Sequence, residues 1–424
     1  MHSVIWPDSL GDYIKSIKSA DILVGIPSYN NAKTIGHVVR AVQGGFAKYF
    51  PEKKTVLVNS DGGSTDGTME VVQDATIDSL QSILLSHKVN PFVKIATPYH
   101  GIPGKGSAFR RIFEIADYLQ IKACAVVDSD LRSITPEWIE LLIKPVLEGE
   151  FDYVAPLYQR HKYDGTITNS IVYPLTRALY GKRVRQPIGG DFGFSGRLAK
   201  YFLSEDVWET DVARYGIDIW MTTTAIANNF KICQSYLGAK IHDPKDPGAD
   251  LSAMLYQVVG STFDLMDTYS DVWKNVSKSE PVPTFGFRYD VGLEPVTVNL
   301  ERMIDRFCLG VQELGFVWKD ILPRSLFNFF KDISTASCPQ DFIIPDDVWV
   351  DTIFSFALAT HRKVINREHL LRSLTPLYIG RVASFVVDTI NSNAVEVEEK
   401  IEVLCTAFER KKTVLLSEWD RKGV

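Results

Sequence analysis

The chain has 424 residues, 45% hydrophobic and 23% charged, an ordinary globular composition long enough for two or more domains. Its net charge of −6, with no block of Lys or Arg, argues against general nucleic-acid binding, while local basic clusters can still hold phosphates. The five cysteines (Cys124, Cys233, Cys308, Cys338, Cys405) are scattered and form no Cys-x-x-Cys, so neither a zinc site nor a disulfide framework is indicated. A reducing compartment fits best. Met1 to Lys18 carries Asp8, Asp12 and other polar residues, so no secretory signal is expected there. No segment approaches the ~20 apolar residues that span a bilayer, and a cytoplasmic protein without a transmembrane segment is expected.

Ile22 to Ile26 reads as a strand, followed by a helix near Thr34 to Gly44. Thr55 to Val58 is a second strand, followed by a helix from about Gly67. A short strand runs from near Phe92 to Ala96, then Gly106 to Tyr118 is helical. The apolar run Ala123 to Val127 reads as a buried strand closed by Asp128. Thr135 and Pro136 suit the N-cap and first position of a helix, and Tyr153 to Leu157 is another strand. Such alternation implies an α/β fold: a mostly parallel, Rossmann-like sheet with helices on both faces. Ligands of such sheets sit beyond the carboxyl ends of the strands, so Pro27–Asn30, Asp61 and Asp128–Asp130 should converge on one edge.

From about Asp250 the pattern changes. Leu251, Met254, Leu255, Val258, Val259, Thr262, Phe263 and Met266 mark one face of a long helix. Similar periodicity returns over 298–322, 346–360, 367–391 and 395–410. Pro281-Val282-Pro283 and the stretch Ser334 to Pro345 read as loops. The expected division is a catalytic domain over 1–270 and an all-helical domain over 271–424. Whether the helical part forms a homodimer or only packs on the first domain stays open.

Asp128-Ser129-Asp130 places two carboxylates at alternate positions on a strand end, where they can share a hard cation with phosphate oxygens. A metal there would neutralise a leaving diphosphate. In isolation a solvated turn is the better reading, and its company decides. In Gly25-Ile26-Pro27-Ser28-Tyr29-Asn30-Asn31, a proline and a small residue after a strand leave the backbone open to a planar base, and Asn30 can bond that base or cap the next helix. In Asp61-Gly62-Gly63-Ser64-Thr65-Asp66, Asp61 is assigned to a base N–H and Asp66 to capping. In His100-Gly101-Ile102-Pro103-Gly104-Lys105-Gly106-Ser107, Gly104, the Lys105 ammonium and the backbone N–H groups of a helix start suit a diphosphate, without the order of a P-loop.

Pro27-Ser28-Tyr29-Asn30, Asp61 to Asp66, Gly104-Lys105-Gly106 and Asp128-Ser129-Asp130 together resemble the nucleotide half of a GT-A glycosyltransferase. Gln186 to Asp191, Tyr215 to Asp218 and Ala239-Lys240-Ile241-His242 narrow the resemblance, over residues 20–270, to the retaining synthases of glucosylglycerate, glucosyl-3-phosphoglycerate and mannosylglycerate. The resemblance implies a divalent metal (Mg²⁺ or Mn²⁺) on Asp130 and His242, with Asp128 on the ribose or the metal. It implies an NDP-sugar donor, a GDP- or UDP-hexose, with Pro27, Tyr29, Asn30, Asp61, Gly104, Lys105, Asp128 and Ser129 around the nucleotide. Lys105 should meet the diphosphate and Asp218 the sugar hydroxyls, so that Asp218, Lys105 and Asp130 carry the chemistry. Gly189 and Gly190 let the backbone approach the sugar or acceptor. Asp191, implied at the sugar or acceptor, stands where the family usually has Glu, with a shorter arm for that contact.

Arg160 and Thr168 reproduce the eight-residue spacing with which the mannosylglycerate enzymes hold a small carboxylate. The position of Thr166 is an Arg in the phosphoglycerate enzymes, where it helps hold the acceptor phosphate; its absence favours free D-glycerate, unless His161 or Lys162 substitutes. A surface salt bridge is an equal reading of Arg160. The expected activity is retaining hexosyl transfer to the 2-hydroxyl of glycerate, making a compatible solute such as glucosylglycerate, with glucose slightly favoured over mannose. Alternatives are a glucosyl-3-phosphoglycerate synthase and a non-catalytic nucleotide-sugar-binding regulatory protein. A sugar-1-phosphate nucleotidyltransferase would want a basic glycine-rich loop after the first strand, and an inverting polysaccharide transferase a QxxRW-like motif; neither is found.

Overall fold

The computed structural model describes residues 8–75, 93–99, 102–241, 252–288, 292–335 and 339–421. Ten strands occur among them: β1 (Ile22–Ser28), β2 (Thr55–Asp61), β3 (Val93–Pro98), β4 (Ala123–Val126), β5 (Tyr153–Gln159), β6 (Lys182–Arg183), β7 (Phe192–Ser195), β8 (Ile232–Ala239), β9 (Glu280–Pro281) and β10 (Thr284–Phe285). The chain divides into two units. The first comprises Met1–Gln159, Ile188–Asp243 and Val282–Leu293; the second comprises Arg160–Pro187, Pro244–Pro281 and Glu294–Val424. This differs from a single cut near residue 270, because 160–187 and 244–281 belong with the helices of the second unit. Periodicity reads local faces and carries no signal of which unit a face joins.

The first unit is built on an eight-stranded sheet of order β10-β8-β5-β7-β4-β1-β2-β3. All its pairings are parallel except those of β7, which runs antiparallel between β4 and β5. β1, β4 and β8 are buried along their whole length, as strands covered on both faces must be. Ile22, Val24 and Ile26 pack with Val38, Val39 and Val42 of helix Ile35–Tyr49 and with Ile139 and Leu142 of helix Pro136–Leu147. Pro136 takes the first helical position there, as expected, although the Thr135 side chain makes no cap bond. Of Pro281-Val282-Pro283, Pro281 closes the short strand β9, and Val282 and Pro283 are a loop that leads into β10 at the sheet edge beside β8.

The second unit contains helices Ser252–Thr268, Leu300–Ile321, Arg324–Ile333, Asp346–His361, Arg367–Thr389 and Ala394–Trp419. Asn299, Asn366 and Asn393 accept from backbone N–H groups at three of their starts, and Asn393 with Glu396 completes a capping box. Trp273, Trp318, Trp349, Tyr378, Phe263 and Phe307 are among its largest buried side chains. Helix Arg367–Thr389 is long and apolar enough to cross a membrane by length and composition, contrary to the sequence expectation. Most of its apolar window, 72%, is buried inside the protein. Its Arg381 donates to the Ile344 carbonyl at 2.6 Å and pairs with Asp346 at 2.5 Å, which is the behaviour of a core helix.

Candidate active site

The parallel strands β1, β2, β4, β5 and β8 end at one edge of the sheet. β7 runs the other way and so begins there, with Phe192 paired to Val126. This single antiparallel strand brings Gly189-Gly190-Asp191 to the same edge as Asp128 and Lys240.

Five charged side chains meet at that edge. Lys105 Nζ lies 2.8 Å from Asp128 Oδ1 and 3.2 Å from Asp218 Oδ1. Lys240 Nζ lies 2.7 Å from Oδ2 of both Asp128 and Asp191 and donates to the Gly189 carbonyl at 2.8 Å. Asp191 is wholly buried and also accepts from the Asp128 N–H at 2.7 Å and from the Tyr158 hydroxyl. Two ammoniums thus face three carboxylates. Burial pushes the Asp128 carboxyl up, but Lys105 and Lys240 outweigh it and hold that group well below the usual range. Burial wins at Asp191 and Asp218, whose carboxyls are raised against the pull of Lys240 and Lys105 respectively. Burial works against the Lys105 charge, yet Asp128 and Asp218 keep its pKa above normal. Oδ1 of Asp218 is buried and in ion-pair contact with Lys105 only, without a hydrogen bond.

Gly190 has φ +92°, and a Cβ there would lie 2.3 Å from Asp128 Oδ2 and 2.9 Å from Lys240 Nζ. Only glycine allows the cluster to close. The two glycines beside Lys105 have another purpose than the one expected. A Cβ on Gly106 would lie 1.9 Å from the Val212 carbonyl oxygen, and one on Gly104 2.5 Å from that of Ala213. Their N–H groups already donate to the Arg214 carbonyl (3.2 Å) and the Tyr99 hydroxyl (3.0 Å). They seat segment 212–214 against the helix start. The ammonium of Lys105, at the head of helix Lys105–Tyr118, is the group that suits a phosphate. His100 and Gly101 lie outside the described residues.

The loops after β1 and β2 are interlocked. Asp61 is 3% exposed, and its carboxylate accepts from the Ser28 and Ser64 hydroxyls (2.7 Å each) and the N–H groups of Gly63 (2.9 Å) and Ser64 (2.7 Å). Four bonds fill a carboxylate, so Asp61 organises its own turn instead of accepting from a base. Asn30 neither caps the next helix nor is idle: its side chain accepts from the Thr65 N–H at 3.0 Å and its N–H donates to Ser64 Oγ at 2.8 Å. Asp66 accepts from the Thr68 N–H at 3.1 Å, at the start of helix Thr68–Asp74. Ser129 donates to the Asn31 side chain at 2.8 Å, tying the β4 end to the β1 loop. Pro27 is buried within β1, whereas the Tyr29 ring is 63% exposed beside Gly62 and offers a face to a planar group.

Asp130 is half-buried, and no ion pair engages it among the described residues. His242, its expected partner, lies outside the described residues. No group of three or more His, Cys, Asp or Glu among the described residues is placed to share an ion. The Asp128 carboxylate faces two ammoniums and does not suit a metal. A hard cation takes one or two carboxylates together with substrate phosphate oxygens; Asp130 fits that mode as the carboxylate.

The expected acceptor residues belong to the second unit. Arg160 Nη1 lies 3.6 Å from Asp164. The Thr166 hydroxyl is bonded to the Tyr378 hydroxyl at 2.5 Å, inside that unit. Thr168 is buried and opens the π-helical turn Thr168–Val172. Lys162 donates to the carbonyls of Thr389 (2.7 Å), Ile390 (3.1 Å) and Ser392 (3.1 Å), at the end of helix Arg367–Thr389, and so is not a free cation for an acceptor.

Sequence reasoning missed the role of Lys240. The signal was slight: a lone cation just past a strand, with Asp61 and Asp128 standing at the ends of other strands of the same sheet. Tyr158, in β5, carried none, because an aromatic in a strand reads as core.

Residues 23–208 match the family model described as Glycosyl transferase family 2. No curated protein matches the chain. Among solved structures, glucosyl-3-phosphoglycerate synthase from Mycobacterium tuberculosis in complex with Mn²⁺, UDP-glucose and phosphoglyceric acid is 22% identical, with a TM-score of 0.43 over 63% of this chain and 86% of that one. Its complex with phosphoglyceric acid is 21% identical, with a TM-score of 0.42 over 62% and 86%. A mycobacterial protein is 21% identical, with a TM-score of 0.43 over 62% and 79%.

Proposed function

We propose that this chain, which matches the Glycosyl transferase family 2 model over residues 23–208, moves a hexosyl group from an NDP-sugar to a small hydroxy acid. The observation that carries this is the cluster of Lys105, Asp128, Asp191, Asp218 and Lys240 at the carboxyl edge of the sheet. Ligands of open α/β sheets bind at such an edge. Lys105 draws the donor diphosphate and stabilises the charge that grows on it as the glycosidic bond breaks. Asp218 accepts from sugar hydroxyls. Tyr29 covers the base. A divalent cation held by Asp130, with His242 as its proposed second ligand, would add positive charge at the leaving diphosphate.

The acceptor proposed is D-glycerate, its carboxylate taken by Arg160 and Thr168. Supporting this, no cation stands at position 166 and the Lys162 ammonium is engaged by three carbonyls. Transfer with retention of the α configuration, glucose as the sugar, and a cytoplasmic setting are parts of the same proposal. With Asp128, Asp191 and Asp218 all paired to lysines, none is placed as a covalent nucleophile, so retention would proceed on the front face, with the leaving phosphate taking the acceptor proton. A product assay with UDP- and GDP-hexoses against glycerate and 3-phosphoglycerate tests the proposal. A strong preference for 3-phosphoglycerate removes the acceptor assignment, and no product with any pair removes the transferase.

A further inference from the structure

We infer that Lys240 is a positioning residue for donor binding: by holding Asp191 and the second oxygen of Asp128, it leaves Lys105 able to engage the diphosphate. The inference rests on the donor site proposed above. Without Lys240, the single ammonium of Lys105 would face three carboxylates at one strand edge, and its charge would be neutralised before a ligand arrived.

The geometry supports this division of labour. The Lys240 side chain is 4% exposed and its ammonium sits 5.2 Å from the Tyr158 ring centre, so it is walled from solvent and from ligand. Among the described residues, Asp128 Oδ2, Asp191 Oδ2 and the Gly189 carbonyl lie close to it, at 2.7, 2.7 and 2.8 Å. These acceptors suffice for the three donors of an ammonium. Lys105 is the more exposed of the pair (16%); it has one short contact, to Asp128 Oδ1 (2.8 Å), and looser ones to Asp218 Oδ2 (3.3 Å) and the Gly190 carbonyl (3.4 Å). The cation with three short contacts is internal, and the one with a single short contact is partly exposed. Lys240 also pins Gly189 and Asp191 on either side of Gly190, and so holds the turn against which Lys105 lies.

The test is calorimetric titration of the full chain with UDP and with GDP, in Mg²⁺, alongside thermal melting. Lys240→Met should weaken binding of the nucleotide that the wild type prefers by about tenfold or more and lower the melting temperature. In Lys240→Met/Asp191→Asn one charge of each sign is removed, so melting should recover while nucleotide binding stays weak. Wild-type affinity in that double variant would mean that Lys240 serves folding alone, and overturns the inference. Asp191→Asn by itself leaves Lys240 wholly to Asp128 and should tighten nucleotide binding; unchanged or weaker binding also overturns it. If the wild type binds neither nucleotide, the donor reading itself fails, a result separate from any difference among variants.

Discussion

Lys105 Nζ stands 2.8 Å from Asp128 Oδ1, an ion pair between the head of one helix and the end of the neighbouring central strand. The other oxygen of the same carboxylate holds Lys240. Asp128 is thus the anion between two cations, and this sets its behaviour apart from that of Asp130 two residues on.

Asp128→Asn should be strongly destabilising. It leaves two largely buried ammoniums sharing fewer charges, and breaking a buried pair costs about 3–5 kcal/mol. Denaturant titration of wild type and variant measures the loss. A change under ~0.5 kcal/mol, the range of ordinary surface substitutions, would show that the cluster contributes little to the fold.

Asp130→Ala should do the opposite. Its carboxylate is half-buried and no described residue pairs with it, so melting should stay close to wild type while sugar transfer is abolished. Wild-type turnover in this variant removes the argument for a cation on Asp130.

Gly190→Ala should lose both stability and activity. The positive φ alone costs roughly 1–3 kcal/mol, and the added carbon would press on Asp128 and Lys240. Activity should fall further than the folded fraction, because the displaced groups position Lys105. Measuring transfer per folded molecule separates the two effects.

Much of the first unit could be read before the structure was known, and for a physical reason. Its central strands are short apolar runs closed by polar loops, and alternation with helices leaves few topologies. The β1, β2 and β4 ends converge as expected. What periodicity could not show was direction: nothing in Phe192–Ser195 says that this strand runs antiparallel, and that reversal is what brings Asp191 to the site. Nor does a residue type reveal whether its hydrogen bonds are already used. Asp61 reads as a ligand group, but its own turn fills it. Asp191 reads as a sugar contact, but it is buried and bonded to Lys240 and Tyr158. The glycines flanking Lys105 suggested a phosphate loop, and they make room for segment 212–214. Asp218 lies in the first turn of helix Ile217–Ala227, in ion-pair contact with Lys105.

The second unit yields a pH prediction. Lys412 is buried, and no carboxylate among the described residues pairs with it; it donates to the carbonyls of Val276 (2.7 Å) and Leu179 (3.1 Å). Burial pushes its pKa down from 10.5 to about 8. A lysine lowered on folding is charged in both states below the folded value, so its burial penalty is complete there. Between about 8 and 10.5 the unfolded chain binds the extra proton, and stability rises with pH. The melting temperature of wild type minus that of Lys412→Met should therefore increase from pH 7.5 toward pH 10, the range set by those two values. A flat difference would show that Lys412 stays charged throughout.

The central claim is that Lys105 serves the departing diphosphate, and acceptor-dependent release of nucleoside diphosphate tests it most directly. With an NDP-hexose and glycerate, the wild type should release the diphosphate together with a glycosylated acid, and Lys105→Met should lose about 10²–10³ in turnover, as expected for removal of one preorganised charge stabiliser. Release by Lys105→Met at the wild-type rate, or release that ignores the acceptor, would contradict the account.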